Sequence, residues 1–161
     1  MEHENIVRFY GCELLDQFFC MYLEQMETSL ANVLSEYGYF DEITIRYYTK
    51  QILSGLAFLH NKKIKHLDLK CSNILTNNDG IVKLCDFGSS REFKKGSQNG
   101  SSAASCSFTS LKSQILGSVQ WMAPEVIIEK GSGSKSDIWS LGCTIVEMFN
   151  GGNPWGDKID D

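Results

Sequence analysis

The sequence predicts an α+β fold in which a small β-rich part precedes a larger, mainly helical part. Three observations support this fold class. Two short strand-like runs open the chain, a long amphipathic stretch follows them, and a second pair of short apolar runs flanks a turn signal. With 161 residues, 42% of them hydrophobic, the chain has the size and composition of one globular domain.

The first two strands are predicted at residues 6–10 and 18–24, which are rich in β-branched and aromatic side chains. The polar segment between them contains Gly11 and Asp16 and suits a hairpin. Ser29 is then the predicted N-cap of a short helix through Tyr37, and Gly38 follows where a left-handed residue is favourable.

A longer helix is predicted from about residue 41 to residue 61, because apolar residues recur there at gaps of three and four. They are Ile45, Tyr48, Ile52, Leu56 and Leu59. The longest apolar run, residues 138–149, predicts a core helix that is buried nearly all round. It falls well short of the roughly 20 residues that span a bilayer, so no membrane span is expected.

A second hairpin is predicted from residues 73–76 and 81–84, which flank the turn sequence Asn-Asn-Asp-Gly at residues 77–80. Residues 89–114 are rich in Ser, Gly, Asn and Lys and are expected to form a mobile loop.

Charge and cysteine content narrow the class of protein. The net charge of -5 and the pI near 5.2 give no basic patch for nucleic acid, so no nucleic-acid partner is expected. The six cysteines contain no C-x-x-C pair and are expected to be reduced thiols in the cytoplasm, mostly small buried side chains rather than metal ligands. They are Cys12, Cys20, Cys71, Cys85, Cys106 and Cys143.

Three short motifs carry chemistry. Residues 66–73 read HLDLKCSN, residues 86–88 read DFG and residues 123–125 read APE. Asn73 lies five positions after Asp68, and Asp86 lies eighteen positions after it, across the predicted hairpin. Each motif alone is weak, but their order and spacing resemble the catalytic domain of eukaryotic protein kinases over essentially the whole chain.

The resemblance implies a kinase-like fold and a division of the chain. Residues 1–26 would be small-lobe strands and the hinge, and residues 27–161 the large lobe, with an activation segment at about 86–125. Residues 121–126, WMAPEV, and residues 136–143, SDIWSLGC, resemble the mitogen-activated protein kinase kinase kinase branch. A downstream MAP kinase kinase is therefore a possible protein substrate.

The resemblance also assigns catalytic roles. Asp68 would orient the substrate hydroxyl, and Lys70 would place a positive charge beside the transferred phosphoryl group. Asn73 and Asp86 would hold Mg²⁺, which prefers oxygen ligands. Lys70 and Ser118 resemble serine/threonine kinases rather than tyrosine kinases, so the expected acceptor is a Ser or Thr hydroxyl.

ATP would be bound by residues of the hinge and the second hairpin. By resemblance, Leu23 occupies the gatekeeper position, Glu24 and Met26 offer backbone groups to adenine, and Leu75 lies under the adenine ring. Ordinary core packing is the alternative for Leu23 and Leu75. Asp137 resembles the buried carboxylate that anchors the catalytic loop, and it would also serve as an acidic residue near a helix N-terminus.

Several parts of a complete kinase domain are missing from the sequence. No glycine-rich loop, ATP-positioning lysine or partner glutamate precedes Ile6, and the glycine run at residues 131–136 is expected to be a surface loop. The chain also stops before the arginine that usually pairs with Glu125. We therefore expect a partial, weakly stable domain that is inactive alone, either a fragment of an active kinase or a truncated, non-catalytic interaction module.

Two residues beside the motifs raise further expectations. Cys85 precedes Asp86 and is either a thiol activated by a nearby cation or an inert packed thiol. Leu67 replaces the arginine that commonly receives an activation-loop phosphate, so Ser101, Ser102, Ser105 and Ser107 are not expected to switch catalysis by that route. Arg91, Lys94 and Lys95 are possible substitutes for that arginine, and a Ser-rich insertion without a regulatory role is the alternative.

Overall fold

A computed structural model describes residues 2–92, 119–128 and 131–156. Strands and helices alternate through the first part and helices dominate the second, which confirms the α+β fold class. The strands are β1 (Phe9–Leu15), β2 (Phe18–Leu23), β3 (Thr28–Ser29), β4 (Ile64–Lys65), β5 (Ile74–Thr76), β6 (Val82–Leu84) and β7 (Arg91–Glu92). The helices are α1 (Leu30–Tyr37), α2 (Glu42–Asn61), α3 (Pro124–Ile127) and α4 (Ser134–Asn150).

The first hairpin forms from β1 and β2, which pair antiparallel, but its first strand was predicted at the wrong place. Residues 6 and 7 lie before β1 and join the core instead. Val7 donates its backbone N–H to the Leu84 carbonyl at 3.0 Å, and Ile6 forms a parallel bridge with Leu84. Their β-branched side chains are buried, so they carry the strand-like composition without belonging to the hairpin.

Helices α1 and α2 confirm the sequence predictions. The Ser29 side chain accepts a hydrogen bond from the Asn32 N–H at the start of α1, and Gly38 ends it at φ 92°. Asp41 caps α2 by accepting from the Thr44 N–H at 2.7 Å. One face of α2 is buried, as the apolar spacing predicts. Its buried residues are Ile45, Ile52, Gly55, Leu56 and Leu59.

The second hairpin also matches its prediction. Strands β5 and β6 pair antiparallel, and β3 adds to β5 to give a three-stranded sheet. The Asn77 side chain accepts from the N–H groups of Asp79 and Ile81, and Gly80 takes φ 75°. The turn residues therefore fix the register that brings the two ends of the hairpin together.

Helix α4 differs from its prediction because it is not buried all round. Ile138 is 50% exposed and Phe149 is 65% exposed. Its buried face is instead largely polar, and those side chains bond to neighbouring loops. The buried polar residues are Ser136, Asp137, Ser140, Thr144 and Glu147.

The predicted surface loop at residues 131–136 is partly wrong, because α4 begins at Ser134. Ser136 lies in its first turn and accepts a hydrogen bond from the Gly133 N–H at 3.1 Å. Likewise the predicted loop at residues 89–114 is ordered at its start, where Arg91–Glu92 pairs with Ile64–Lys65. The rest of that prediction lies outside the described residues.

Within the described ranges, every helix is too short or too polar to cross a membrane. The core joins α1, α2, the β5–β6 hairpin and the inner face of α4. Its fully buried members include Leu30, Ile52, Leu59, Leu69 and Met148. Leu69 places the loop between β4 and β5 directly on this core.

Candidate active site

The loop between β4 and β5 brings together three of the predicted catalytic residues. The Lys70 Nζ lies 3.2 Å from Asp68 Oδ2. The Asn73 side-chain amide donates to the backbone oxygen and to Oδ2 of Asp68, both at 2.8 Å. A carboxylate, an ammonium group and an amide therefore meet around one oxygen atom, with the Asp68 and Lys70 side chains less than one-fifth exposed.

Asp137 fixes the backbone of this loop through hydrogen bonds to its side chain. Its side chain is fully buried and accepts from the His66 N–H at 3.0 Å and from the Leu67 N–H at 2.8 Å. The His60 Nε2 lies 2.7 Å from Asp137 Oδ2. The interpretation of Asp137 as a buried carboxylate that anchors the backbone of this loop is confirmed, and Asp137 also lies in the first turn of α4, as the alternative interpretation requires.

The anchored backbone includes an unusual conformation at Leu67, which has φ 66°. This left-handed region costs a residue with a β-carbon about 1 kcal/mol or more. The hydrogen bonds that the consecutive N–H groups of His66 and Leu67 donate to Asp137 compensate for that cost. The turn at Leu67 directs the chain so that Asp68 follows immediately beside Lys70 and Asn73.

His66 connects the catalytic loop to the DFG segment. Its Nε2 lies 2.9 Å from the Cys85 carbonyl oxygen, and its ring centroid is 5.2 Å from that of Phe87. Burial lowers the pKa of His66, against the opposing effect of the hydrogen bond with the Cys85 carbonyl. The neutral imidazole thus bridges two segments through a polar contact and an aromatic contact.

Asp86 directly follows Cys85, whose carbonyl oxygen contacts His66. It has φ 58°, its side chain is exposed, and its Oδ1 accepts from the Gly88 N–H at 3.2 Å. The Cys85 N–H donates to the Asn73 carbonyl at 3.0 Å, so the hairpin ties Asp86 to Asn73 through adjacent residues. Asn73 and Asp86, the residues predicted to hold magnesium, are therefore connected through the hydrogen bond between Cys85 and Asn73.

Cys85 is not activated by this environment. Burial, followed by the nearby negative charge of Asp86, raises the pKa of its thiol to about 11. Among the protein's own groups, the raised pKa favours the alternative, an inert packed thiol, over a thiol activated by a nearby cation.

The predicted adenine contacts are only partly brought together. Leu23 lies at the end of β2, is 49% exposed, and shares a cavity of about 520 Å³ with Asp86 and Phe87. Leu75 lies on β5, and Met26 lies between β2 and β3; neither lines that cavity. The cavity thus joins the predicted gatekeeper to the DFG segment.

Glu24 is held by two basic residues. Its Oε1 lies 2.9 Å from Lys83 Nζ, and its Oε2 accepts from the Arg8 N–H at 3.0 Å. Burial opposes ionisation, but the bonds to Lys83 and Arg8 outweigh it and lower the pKa of Glu24. Its backbone N–H donates to the Arg8 carbonyl at 2.8 Å.

Sequence reasoning missed three polar residues of α4 that hold the site. Ser140 donates to the Trp121 carbonyl at 2.7 Å, and the Thr144 hydroxyl, whose shorter bond of 2.7 Å goes to the Ser140 carbonyl, lies 3.4 Å from the Leu69 carbonyl. Glu147 accepts from the Cys71 N–H at 3.0 Å. Their spacing of three and four residues inside an apolar run was the available signal, because it places all three on one helix face.

Glu125 also differs from its expectation. Its side chain is half-buried and accepts a hydrogen bond from the Ser136 hydroxyl at 3.0 Å. It is therefore not a buried carboxylate without a partner, and the instability predicted from that loss is not supported. Ser118 lies outside the described residues, so its predicted role stays a prediction.

No group of three or more His, Cys, Asp or Glu residues within 2–92, 119–128 and 131–156 is arranged to hold a metal ion. Asn73 and Asp86 supply one amide and one carboxylate, so a cation here would take its other ligands from outside these side chains.

Comparison with known proteins extends these observations to the whole chain. Residues 1–161 match the protein kinase domain family. The chain is 46% identical over 156 residues to mitogen-activated protein kinase kinase kinase A of Dictyostelium discoideum, which covers 96% of this chain and 15% of the relative. It is 40% identical over 162 residues to mitogen-activated protein kinase kinase kinase ANP1 of Arabidopsis thaliana, covering 100% of this chain and 23% of the relative.

A further relative is the serine/threonine-protein kinase BCK1/SLK1/SSP31 of Saccharomyces cerevisiae. It is 41% identical over 157 residues, which cover 96% of this chain and 10% of the relative. The chain thus spans less than a quarter of the length of each of these three relatives.

Proposed function

The chain belongs to the protein kinase family, and from this premise we propose that its protein transfers the terminal phosphoryl group of ATP to a Ser or Thr hydroxyl of a protein substrate. The observation that carries the proposal is the arrangement at Asp68, whose Oδ2 lies within 3.2 Å of Lys70 Nζ and 2.8 Å of Asn73 Nδ2. Phosphoryl transfer needs an oriented hydroxyl and a charged, preorganised environment rather than covalent help.

Asp68 is the group that would orient the acceptor hydroxyl. Both of its side-chain contacts within the described residues use Oδ2, so Oδ1 is the oxygen that can accept from a substrate O–H. The Asn73 amide also holds the Asp68 backbone oxygen, which limits rotation of the residue. The hydroxyl proton would pass to Oδ1 as the bond from the acceptor oxygen to the terminal phosphorus forms and the bond from that phosphorus to ADP breaks, with ADP as the leaving group.

Lys70 would stabilise the charge that develops on the transferred group. Its ammonium lies 3.2 Å from Asp68 Oδ2, and from there it would bring one positive charge to the point where the acceptor oxygen and the phosphoryl group meet. Lys70 and the serine/threonine-protein kinase name of the yeast relative both support a Ser or Thr acceptor. Ser118, expected to assist the choice of acceptor, is part of the same proposal.

The residues present fit a magnesium ion shared with ATP. The Asn73 side-chain NH₂ group donates both of its hydrogen bonds in the described structure to Asp68. The Oδ1 of Asn73 is therefore the atom available to a cation. Asp86 has an exposed carboxylate with Oδ1 on the Gly88 N–H. Mg²⁺ favours a few such oxygens completed by phosphate and water, and when bound it neutralises phosphate charge.

Adenine would lie between the hinge and the second hairpin. We propose that the Glu24 carbonyl and the Met26 N–H bond to the base, with Leu23 and Leu75 as its apolar neighbours. The half-exposed Leu23 supports this proposal because its side chain faces a cavity rather than the core. The cavity of about 520 Å³ lies in the range of small-molecule sites, and of these four residues only Leu23 lines it.

The names of the relatives supply the proposed partner. Two of them are called mitogen-activated protein kinase kinase kinases, and we infer that the substrate here is a MAP kinase kinase. We further propose that residues 1–26 form small-lobe strands and hinge, that residues 27–161 form the large lobe with its activation segment at about 86–125, and that the protein acts in the cytoplasm.

The test is phosphate transfer by the full-length protein and by its Asp68→Asn variant, with radiolabelled ATP and a purified MAP kinase kinase. We expect a loss of at least about a hundredfold, because the carboxylate that accepts the hydroxyl proton is removed. Asp79→Asn, in the exposed turn of the second hairpin, is the matched control and should retain activity. Full activity of Asp68→Asn, or phosphate found mainly on Tyr, would refute the proposal.

A further inference from the structure

Trp121, which lies just before the APE segment, is held to α4 at two points. Its indole N–H donates to Glu147 Oε2 at 2.8 Å, and its carbonyl accepts from the Ser140 hydroxyl at 2.7 Å. The adjacent Gln120 carbonyl receives the indole N–H of Trp155, also at 2.7 Å. The indole of Trp155 therefore binds a backbone carbonyl next to Trp121, whereas the indole of Trp121 binds the buried carboxylate of Glu147.

The same oxygen of Glu147 also binds the catalytic loop. Its Oε2 accepts from the Cys71 N–H at 3.0 Å, and Cys71 directly follows Lys70. The indole of Trp121 and the amide of Cys71 come from segments 50 positions apart in the chain and meet at a single atom. A displacement of either donor therefore changes the bond that the other makes.

Burial makes this shared acceptor effective. Glu147 is 8% exposed, and Cys71 is fully buried. Hydrogen bonds to a charged acceptor are stronger than neutral ones, and a low-dielectric surrounding strengthens them further. Burial also raises the pKa of Glu147, while the bonds from Cys71 and Trp121 partly offset that rise.

We propose that Glu147 is a positioning residue that couples the Trp121 segment to the catalytic loop and so holds Lys70 beside Asp68. The proposal rests on the function proposed above for its effect on turnover. Its chain of contacts runs from the Trp121 indole to Glu147 Oε2, to the Cys71 amide and to the neighbouring Lys70. A change at Trp121 thus alters the transfer step rather than nucleotide affinity.

The test compares Trp121→Phe with Trp155→Phe in the full-length protein. Each variant removes one indole N–H donor: Trp121→Phe removes the donor to Glu147, and Trp155→Phe removes the donor to the Gln120 carbonyl. We expect Trp121→Phe to lower kcat about tenfold, as for one hydrogen bond to a charged acceptor, with KM for ATP unchanged within about twofold. Trp155→Phe should change kcat by less than about twofold.

Two variants of Glu147 test the link itself. Glu147→Met keeps the side-chain length but accepts no hydrogen bond, and should match the loss in Trp121→Phe. Glu147→Gln keeps an acceptor oxygen and should retain kcat within about threefold of the parent. The double variant Trp121→Phe/Glu147→Met should be no worse than the poorer single variant, because both remove the same coupling.

A second measurement does not depend on turnover. Amide hydrogen exchange at Cys71 should accelerate in Trp121→Phe and stay unchanged in Trp155→Phe. If the parent transfers no phosphate, the proposed function fails, and exchange at Cys71 still decides this inference. Multiplying effects in the double variant, equal losses in the two Trp→Phe variants, or unchanged exchange at Cys71 in Trp121→Phe would each overturn it.

Discussion

The Oδ1 of Asp137 accepts a hydrogen bond of 2.8 Å from the backbone N–H of Leu67, a residue in the left-handed conformation. The two residues are 70 positions apart, and the bond joins the first turn of α4 to the loop that carries Asp68. A fully buried carboxylate thus stabilises a backbone shape that the catalytic loop would otherwise adopt at a cost.

Replacing Asp137 with Asn should therefore destabilise the protein and impair transfer. One carboxylate oxygen becomes an NH₂ group, which faces a backbone N–H and cannot accept from it. We expect the free energy of unfolding to fall by about 2–4 kcal/mol and activity by at least about tenfold. Urea unfolding and a kinase assay measure these, with Asp79→Asn as control. A loss in both variants alike would contradict the anchoring role.

Two helical glycines should respond oppositely to alanine. A β-carbon at Gly55 would lie 2.8 Å from the Asn5 carbonyl oxygen, whereas one at Gly142 would meet nothing within 4 Å. Gly55→Ala should destabilise by about 1–3 kcal/mol despite a helix-propensity gain of about 1 kcal/mol. Gly142→Ala should stabilise by up to about 1 kcal/mol. Thermal unfolding of both variants tests this, and stabilisation by Gly55→Ala would be the contrary result.

The prediction at Gly55 shows what the sequence could and could not specify. The apolar spacing of α2 does not predict which segment packs against Gly55, because periodicity identifies the buried face of a helix but not what packs on that face. The partner is the segment at Asn5, which pairs with β6 through Val7 and Leu84. A contact between residues 50 positions apart depends on tertiary packing, and this also explains the misplaced first strand.

The site was predictable where motifs fix several residues at once. Asp68, Lys70 and Asn73 meet as their spacing implies, because a short loop and a 3₁₀ turn from Cys71 to Asn73 constrain them. The buried polar face of α4 was not predicted. Glu147 reads from sequence as an interruption of an apolar run, and only its bonds to Cys71 and Trp121 explain its burial.

Glu147 should also make stability depend on pH. Burial raises the pKa of Glu147 above its ordinary value of 4.5, so the protonated form is favoured by folding. Its contribution is fully present below about pH 4.5 and is lost as pH rises through the raised pKa. The stability of Glu147→Gln relative to the parent should therefore increase as the pH rises from about pH 4 to about pH 8, because only the parent loses this contribution. Urea unfolding of both proteins at these two pH values tests this, and a stability difference that shrinks as the pH rises would disprove it.

Cys85 should alkylate slowly at neutral pH. With a pKa of about 11, its thiolate fraction near pH 7.5 is on the order of 10⁻⁴ to 10⁻³. Mass spectrometry after mild alkylation should show Cys12, which is exposed on β1, modified well before Cys85. Labelling of Cys85 should rise about tenfold per pH unit up to about pH 11. Rapid labelling of Cys85 at pH 7.5, well ahead of Cys143, would restore the reactive interpretation.

Leu67 has an aliphatic side chain, which cannot bind a phosphate. The nearest basic residues on the paired strands are Lys65 and Arg91, which lie opposite each other. Lys65 is buried and its Nζ donates to the carbonyl and hydroxyl of Ser132, both at 3.0 Å, whereas Arg91 is exposed. Arg91 also makes a hydrogen bond, from its guanidinium to the Ser90 carbonyl at 2.9 Å, so its exposure is what keeps it a possible substitute for the missing arginine, while Lys94 and Lys95 lie outside the described residues.

Replacing Ser101, Ser102, Ser105 and Ser107 together with alanine should leave basal activity within about twofold, because Leu67 supplies no receptor for their phosphates. Leu67→Arg should instead create dependence on phosphorylation, because a guanidinium beside Asp68 forms charge-assisted bonds to a phosphoserine. Activity before and after phosphatase treatment measures both effects in the full-length protein. A large loss in the alanine variant with Leu67 unchanged would show that another basic group receives the phosphate, and Arg91→Ala in the parent would then identify whether it is Arg91.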